Sequence, residues 1–356
     1  MPISLTPETL TLPKEKTYFQ FALAISILAW IAVAITIIGI PYAIGAAIAL
    51  FMANGLLIAK LRSESVEVTP EQLPQLHATH LEVCRTLGLT DTLPSLYVLQ
   101  SGGILNAFAT RHSGRNFVVV NSSFLEALGE ATPEMKFLLG HEIGHLKRNH
   151  LFKRALLLPA HIVPLLGHAY SRACEATCDR HGALAAGEAA PSTRALLVLA
   201  AGKDAAPKAN PPMFAGQHHR HRGFFISWHE LNSGYPTLSQ RVSNILALED
   251  PQFLRPVKRN PLAYFFSAFV SVQMGVFLYI AILAAIAFPA FQKAQQQALG
   301  MKAKQAHRRA SDGPVYTPTE PVIIPALPSA PPPQPPPPAP ASDAPPEPVA
   351  KANPAN

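Results

Sequence analysis

From Tyr18 to Ala59 the chain carries no charged side chain, and no other feature restricts its folding as strongly. The hydrocarbon core of a bilayer is spanned by about 20 apolar residues of helix. The run is therefore long enough for two crossings, and Gly39-Ile40-Pro41 breaks it near the middle. A tight hairpin of two transmembrane helices, 18–38 and 41–60, is expected, with Trp30 and Tyr42 as interfacial anchors. A cleaved signal peptide fits poorly, because the run starts late, is too long and leads straight into a second apolar span. Lys14 and Lys16 precede the hairpin, Lys60 and Arg62 follow it, and its turn is uncharged. The positive-inside rule then puts both outer ends, and the N-terminal segment 1–17, in the cytoplasm. A further stretch, Leu262 to Pro289, suits one tilted crossing that would carry the C-terminus to the opposite side. Ala155 to His168 is shorter and interrupted by Pro159 and Pro164, so it is expected as a helix packed against the soluble part.

Between the apolar stretches, residues 61–258 can bury one sizeable core. Strand-like runs come first, at Ser95–Gln100, Ile104–Ala109 and Phe117–Asn121, and helical spacing dominates afterwards, which reads as an α+β domain. Residues 200–222 lose hydrophobicity and end in His218-His219-Arg220-His221-Arg222, expected as a solvated loop. Beyond 290 comes a basic segment, then a Pro-rich disordered tail that includes the run 331–338. Such a tail is an extended spacer or a docking segment for a partner, not a folded unit. The net charge of +7 does not point to nucleic acid. Its cations gather beside apolar spans, at Lys293, Lys302, Lys304, Arg308 and Arg309, where the lipid bilayer is the ready partner. Three cysteines make no disulfide framework.

The chemistry is concentrated in His141-Glu142-Ile143-Gly144-His145. On a helix, residues four apart share a face, so both imidazoles can hold one metal ion while Glu142 reaches a water on it. Thr132-Pro133-Glu134 supplies a hydroxyl N-cap, a proline at the first helical position and an acid in the first turn. Phe137, Leu138, Ile143 and Leu146 then recur at helical spacing, with no proline before Pro159. The plain alternative is a pair of core histidines beside an unrelated acid. A catalytic zinc needs a third protein ligand and an open fourth position. Glu175 is the leading candidate, one turn before Asp179, which could accept the free N–H of a ligating histidine. Cys174 and Cys178 have similar spacing and remain rivals, although thiolates suit a structural site better.

With these residues in view, the chain resembles the membrane-bound zinc metallopeptidases of the HtpX heat-shock protease and CAAX prenyl-protease type, over about residues 62 to 250. Besides the zinc-helix motif, three stretches carry the resemblance. Asn106-Ala107-Phe108-Ala109-Thr110 with the Phe117-Val118-Val119-Val120 run looks like the hairpin and edge strand that precede the active-site helix. Glu175-x-x-x-Asp179 matches the third-ligand motif, and Ser233-Gly234-Tyr235-Pro236-x-x-x-x-Arg241 looks like the closing segment. The resemblance implies a zincin-like (gluzincin) fold and one Zn2+ per chain, held by His141, His145 and Glu175. It also implies Glu142 as general base and Asp179 behind a ligand. Substrates would be membrane-associated or misfolded proteins and peptides, the location a bacterial inner membrane, and the catalytic domain cytoplasmic.

Two features depart from the pattern: no membrane hairpin separates His145 from Glu175, and the family's His-Pro pair reads Tyr235-Pro236. Tyr235 could still donate to an oxyanion, and Arg241 could add positive charge. A substrate could add as a strand beside Asn106, Ala107 and Phe108, with Val118 and its neighbours as the candidate sheet edge and a plain core strand as the equal alternative for them. The rival reading, a membrane-tethered zinc scaffold that has lost proteolysis, draws on the Tyr235 departure, and the presence of Glu142 argues against it.

Overall fold

The computed structural model describes residues 5, 7–35, 39–100, 102, 105–163, 165–254, 258–311 and 313. The Pro-rich tail, including 331–338, lies outside them. The chain divides into two units, residues 1–287 and 288–356.

In chain order the first unit opens with the short helix α1 (Pro7–Leu10) and the long helices α2 (Pro13–Ile35) and α3 (Gly39–Glu64). Then come β1 (Val66–Glu67), α4 (Pro74–Thr86), β2 (Ser95–Leu99), β3 (Ala107–His112) and β4 (Arg115–Asn121). Helices follow: α5 (Ser122–Leu128), α6 (Pro133–Lys147), α7 (His150–Leu156), α8 (Leu166–Ala186) and α9 (Ala189–Ala205). They continue as α10 (Pro211–Arg220), α11 (Phe224–Asn232), α12 (Leu238–Leu246) and α13 (Pro261–Ser311). The element types are those expected of an α+β chain.

The four strands lie in the order β1-β2-β4-β3, with β2 and β4 parallel and the other pairs antiparallel. β4 is therefore an interior strand. This corrects the expectation for Val118: it is fully buried and paired with Leu96 on one side and Ala109 on the other, so it has no free backbone to offer a substrate. The outer strands are β1 and β3. The continuous apolar run of β4 follows from burial on both faces of the sheet. Leu96, Val98, Val118 and Val120 join the main core with α4, α6, α9 and α12, while Tyr97, Phe117 and Val119 pack against Ile58 and Leu61 of α3. β3 starts and ends later than its apolar pattern suggested. The two-residue loop Ser113-Gly114, with φ 48° and 81°, closes the hairpin beside the His112–Arg115 pair and sets the register.

Helices α2 and α3 are long and apolar enough to cross a membrane. Both also grip the domain. Ala22 of α2 packs with Leu157, Ala160, Tyr170 and Cys174, and Trp30 donates its indole N–H to the Leu156 carbonyl. Asn54 of α3 donates to the Arg111 carbonyl and accepts from the Thr110 hydroxyl. Away from these contacts they are exposed, as at Phe21, Leu28, Ile35, Tyr42, Leu50 and Leu56.

Three sequence expectations change. The 155–168 stretch is not one helix: Pro159 opens a short 3-10 turn, Leu158–Ile162, and α8 begins only at Leu166. His218 does not belong to a solvated loop but to the last turn of α10, buried with Nδ1 3.3 Å from Glu230. α13 is helical well past Pro289, through the basic segment to Ser311, so that segment is not extended chain.

Candidate active site

Helix α6 forms where its cap signals place it. Thr132 accepts from the Met135 amide at 3.2 Å, Pro133 fills the first turn, and the helix carries His141, Glu142 and His145 inward. Helix α8 lies against it at unusually short range, because small residues face each other. A Cβ added to Gly182 would stand 2.6 Å from the Phe137 carbonyl oxygen, and one added to Gly140 would stand 2.7 Å from the Ala185 Cβ. This close approach brings Glu175 of α8 to the histidine pair.

The three side chains converge. His141 Nε2 is 3.3 Å from His145 Nε2 and 3.3 Å from Glu175 Oε2, and His145 Nε2 is 3.6 Å from Glu175 Oε1. Ligands bonded at about 2.1 Å in tetrahedral directions stand roughly 3.4 Å apart, so this donor set fits a zinc ion held by two imidazoles and a carboxylate. His141 turns its other nitrogen, Nδ1, to Asp179 Oδ1 at 2.9 Å. Asp179 is in turn clamped by Arg241, with Nε at 2.9 Å from Oδ2 and a terminal nitrogen at 2.6 Å from Oδ1. Burial alone would raise the Asp179 carboxyl; the Arg241 charge and the His141 hydrogen bond outweigh it and hold it below the usual range. Glu175 is pushed well below its usual range by the hydrogen bonds and charges of both histidines, again against burial. Both acids are thus kept ionised although almost no solvent reaches them.

Cys174 and Cys178 do not take the third-ligand position. Both are fully buried, and burial raises the Cys174 thiol to about 12 and the Cys178 thiol well above its usual value. Cys178 lies 3.6 Å from His150, not in the His141–His145–Glu175 cluster.

A cavity of about 450 Å³ opens beside these groups. Asn106 with Ala107, Phe108 and Ala109 of β3 forms one wall, Tyr235 and Pro236 another, and Leu138, Leu196 and Leu199 make it apolar. Glu142, 7% exposed, faces it. Tyr235 stands at the rim, 58% exposed, in a turn where its amide donates to the Ser233 hydroxyl. Arg241 reaches the cavity only with a guanidinium already committed to Asp179, so it acts on the site through that carboxylate.

The structure adds residues that sequence reasoning missed. Arg154 reaches Glu175 Oε1 at 3.3 Å, and His150 places Nδ1 3.1 Å from His145 Nδ1. His150 also contacts Glu15, at 3.2 Å, and Glu15 is paired with Arg148 at 3.0 Å. The proximity of His150 and Arg154 to the motif was the available signal. A single acid before an apolar run gave none for Glu15.

Residues 70–166 match the profile described as peptidase family M48. The chain is also 33% identical over 167 residues to the plastoglobule-localized metallopeptidase 48, chloroplastic, of Arabidopsis thaliana. That similarity covers 42% of this chain and 47% of the relative, so the chain spans about half the length of the relative it matches. No solved structure matches.

Proposed function

We propose, on the premise that the chain belongs to peptidase family M48, that it is a zinc-dependent endopeptidase working at a membrane surface on membrane-associated or misfolded proteins. The observation that carries this reading is the convergence of His141 Nε2, His145 Nε2 and Glu175 within 3.3–3.6 Å beside a buried, cavity-facing Glu142.

His141, His145 and Glu175 would hold the ion, which when bound supplies Lewis acidity and makes a water easier to deprotonate. Glu142 would accept a proton from the water that adds to the peptide carbonyl and pass it to the leaving amine as the C–N bond breaks. Asp179 fixes the tautomer of His141, so that Nε2 keeps its lone pair. Arg241 keeps Asp179 charged, and Tyr235 at the rim is placed to donate to the carbonyl oxygen as it gains charge. The outer edge of β3 gives an extended peptide main-chain partners with little sequence demand, and the apolar cavity wall takes its side chains.

The apolar faces of α2 and α3 support membrane attachment, and the charge contrast across their hairpin supports a cytoplasmic domain in an inner membrane. The relative is named for plastoglobules, which fits work at a lipid surface. The test is metal analysis of detergent-purified protein, with casein cleavage by the intact and Glu142→Gln forms. One zinc per chain in both forms, with cleavage in the intact form alone, is the expected result. Equal cleavage by the two metal-loaded proteins would refute the assignment.

A further inference from the structure

We infer that Glu15 and His150 are positioning residues for His145, joining the foot of the first apolar helix to the metal centre. The inference rests on the reading that His145 holds zinc through Nε2. With that nitrogen committed to the metal, the proton of a neutral imidazole sits on Nδ1. The atom facing it is His150 Nδ1, at 3.1 Å, which accepts. The proton of His150 is then on Nε2 and is donated to Glu15 Oε1 at 3.2 Å, while Arg148 holds the same carboxylate oxygen at 3.0 Å and 3.3 Å. Each hydrogen bond fixes the tautomer required by the next.

The arrangement repeats what His141 has on the other side. There a carboxylate, Asp179, is reached directly and held by Arg241; here a carboxylate is reached through one intervening ring and held by Arg148. Metal-bound histidines that donate to a fixed carboxylate are stiffer and more basic ligands. Burial makes the relay irreplaceable by solvent, since the His150 side chain is 1% exposed and that of Glu15 2%.

The backbone is shaped for this contact. On an unbroken helix a residue five positions on lies about 140° around the axis, so His150 would face away from His145. Asn149 adopts the left-handed conformation, φ 53°, a position asparagine tolerates better than most residues. It ends α6 and starts α7 in a new direction, which turns His150 back. Glu15 stands in the first turn of α2, where the helix dipole favours an acid. Cys178 also approaches His150 Nδ1, at 3.6 Å, and groups with His145 and His150, while Cys174 groups with Glu15 and His150. The same donors could instead hold a second ion, and the experiment separates the two cases.

Full-length protein in detergent carries Glu15→Leu, His150→Leu, the double change, His150→Gln or Glu15→Gln. Zinc affinity is measured by chelator competition, with the melting midpoint reporting the fold. The leucine variants should weaken zinc about 10- to 100-fold, and the double variant should be no weaker than His150→Leu alone. Glutamine at 150 offers both an acceptor and a donor and should recover part of the loss, and Glu15→Gln, which keeps an acceptor, should lose less than Glu15→Leu. A packing role would instead treat leucine and glutamine alike and give additive losses. Unchanged affinity in a folded His150→Leu or Glu15→Leu protein overturns the relay. So does a content of two zinc ions per chain with only one lost in the variants. Zinc bound normally by wild type without casein cleavage would overturn the peptidase reading alone, because the relay is read from affinity.

Discussion

Replacing Gly182 by alanine tests whether the distance between α6 and α8 builds the metal centre. By helix propensity alone the change should stabilise by about 1 kcal/mol, since glycine is the poorer helix former. The new Cβ would, however, stand 2.6 Å from the Phe137 carbonyl oxygen and 2.9 Å from the Phe137 ring. The ring can turn aside; the oxygen cannot, because an α-helix commits it to the amide four residues on, that of His141. Restoring van der Waals separation requires the helices to part by roughly 0.5–1 Å. Overpacking of this kind costs about 1–3 kcal/mol, so the net stability loss should be about 0–2 kcal/mol. The same displacement separates Glu175 from the two histidines, and misplacement near 1 Å can cost about a hundredfold in rate. The expected result is a small fall in melting temperature with a much larger fall in zinc affinity and casein turnover. Gly140→Ala should behave similarly and be partly rescued by Ala185→Gly, which removes the 2.7 Å contact. Gly144→Ala, whose nearest contact would be the His181 Cβ at 3.1 Å, should be milder. A Gly182→Ala protein that is more stable and binds zinc like wild type would refute the argument.

Glu175→Ala should release zinc, measured by metal analysis after dialysis, whereas Cys174→Ser and Cys178→Ser should retain it; the opposite pattern would make the site a thiolate one. His80 gives a pH prediction remote from the metal. Burial lowers its pKa below 6.5, with the neutral ring placed to donate to the Pro94 carbonyl at 2.9 Å. The unfolded chain then binds more protons than the folded one just below pH 6.5, so this residue's effect on stability is absent above that value and destabilising as pH falls through it. Melting at pH 7.5 and 5.5 should show a smaller acid loss in His80→Gln than in wild type; equal losses would sink the assignment. In a background lacking the native cysteines, Ser65→Cys should resist an impermeant label applied outside intact cells, and labelling there would reverse the proposed orientation.

How much was legible depended on the range over which each signal acts. Helix α6 was readable because its cap, its apolar spacing and its chemical motif all lie within Thr132–His145. The Glu175–Asp179 pair was readable by spacing on a single helix. Val118 was misplaced because an apolar β-branched run marks a strand without saying whether a neighbour lies on one side or both, and strand order is a long-range fact. The boundaries of 155–168 failed because proline allows a 3-10 turn as readily as a helix end. Glu15 was invisible because its partner, His150, lies far along the chain and is aimed by one left-handed residue.

The strand order also sets how freely substrate preference can be altered. Residues 100–106 separate β2 from β3 in the sequence, and β3 is held by β4 and by Asn54 of α3, while the residues that would hold the metal stand on α6 and α8. Lengthening a loop costs little in chain entropy, about 0.6 kcal/mol for each doubling. Residues 100–106 can therefore lengthen, shorten or change sequence while β4, buried on both faces, fixes the sheet. On the proposed peptidase function, the β3 edge is in this sense a replaceable part: new selectivities are reachable by changes in one short connection, with the His141–His145–Glu175 cluster left intact.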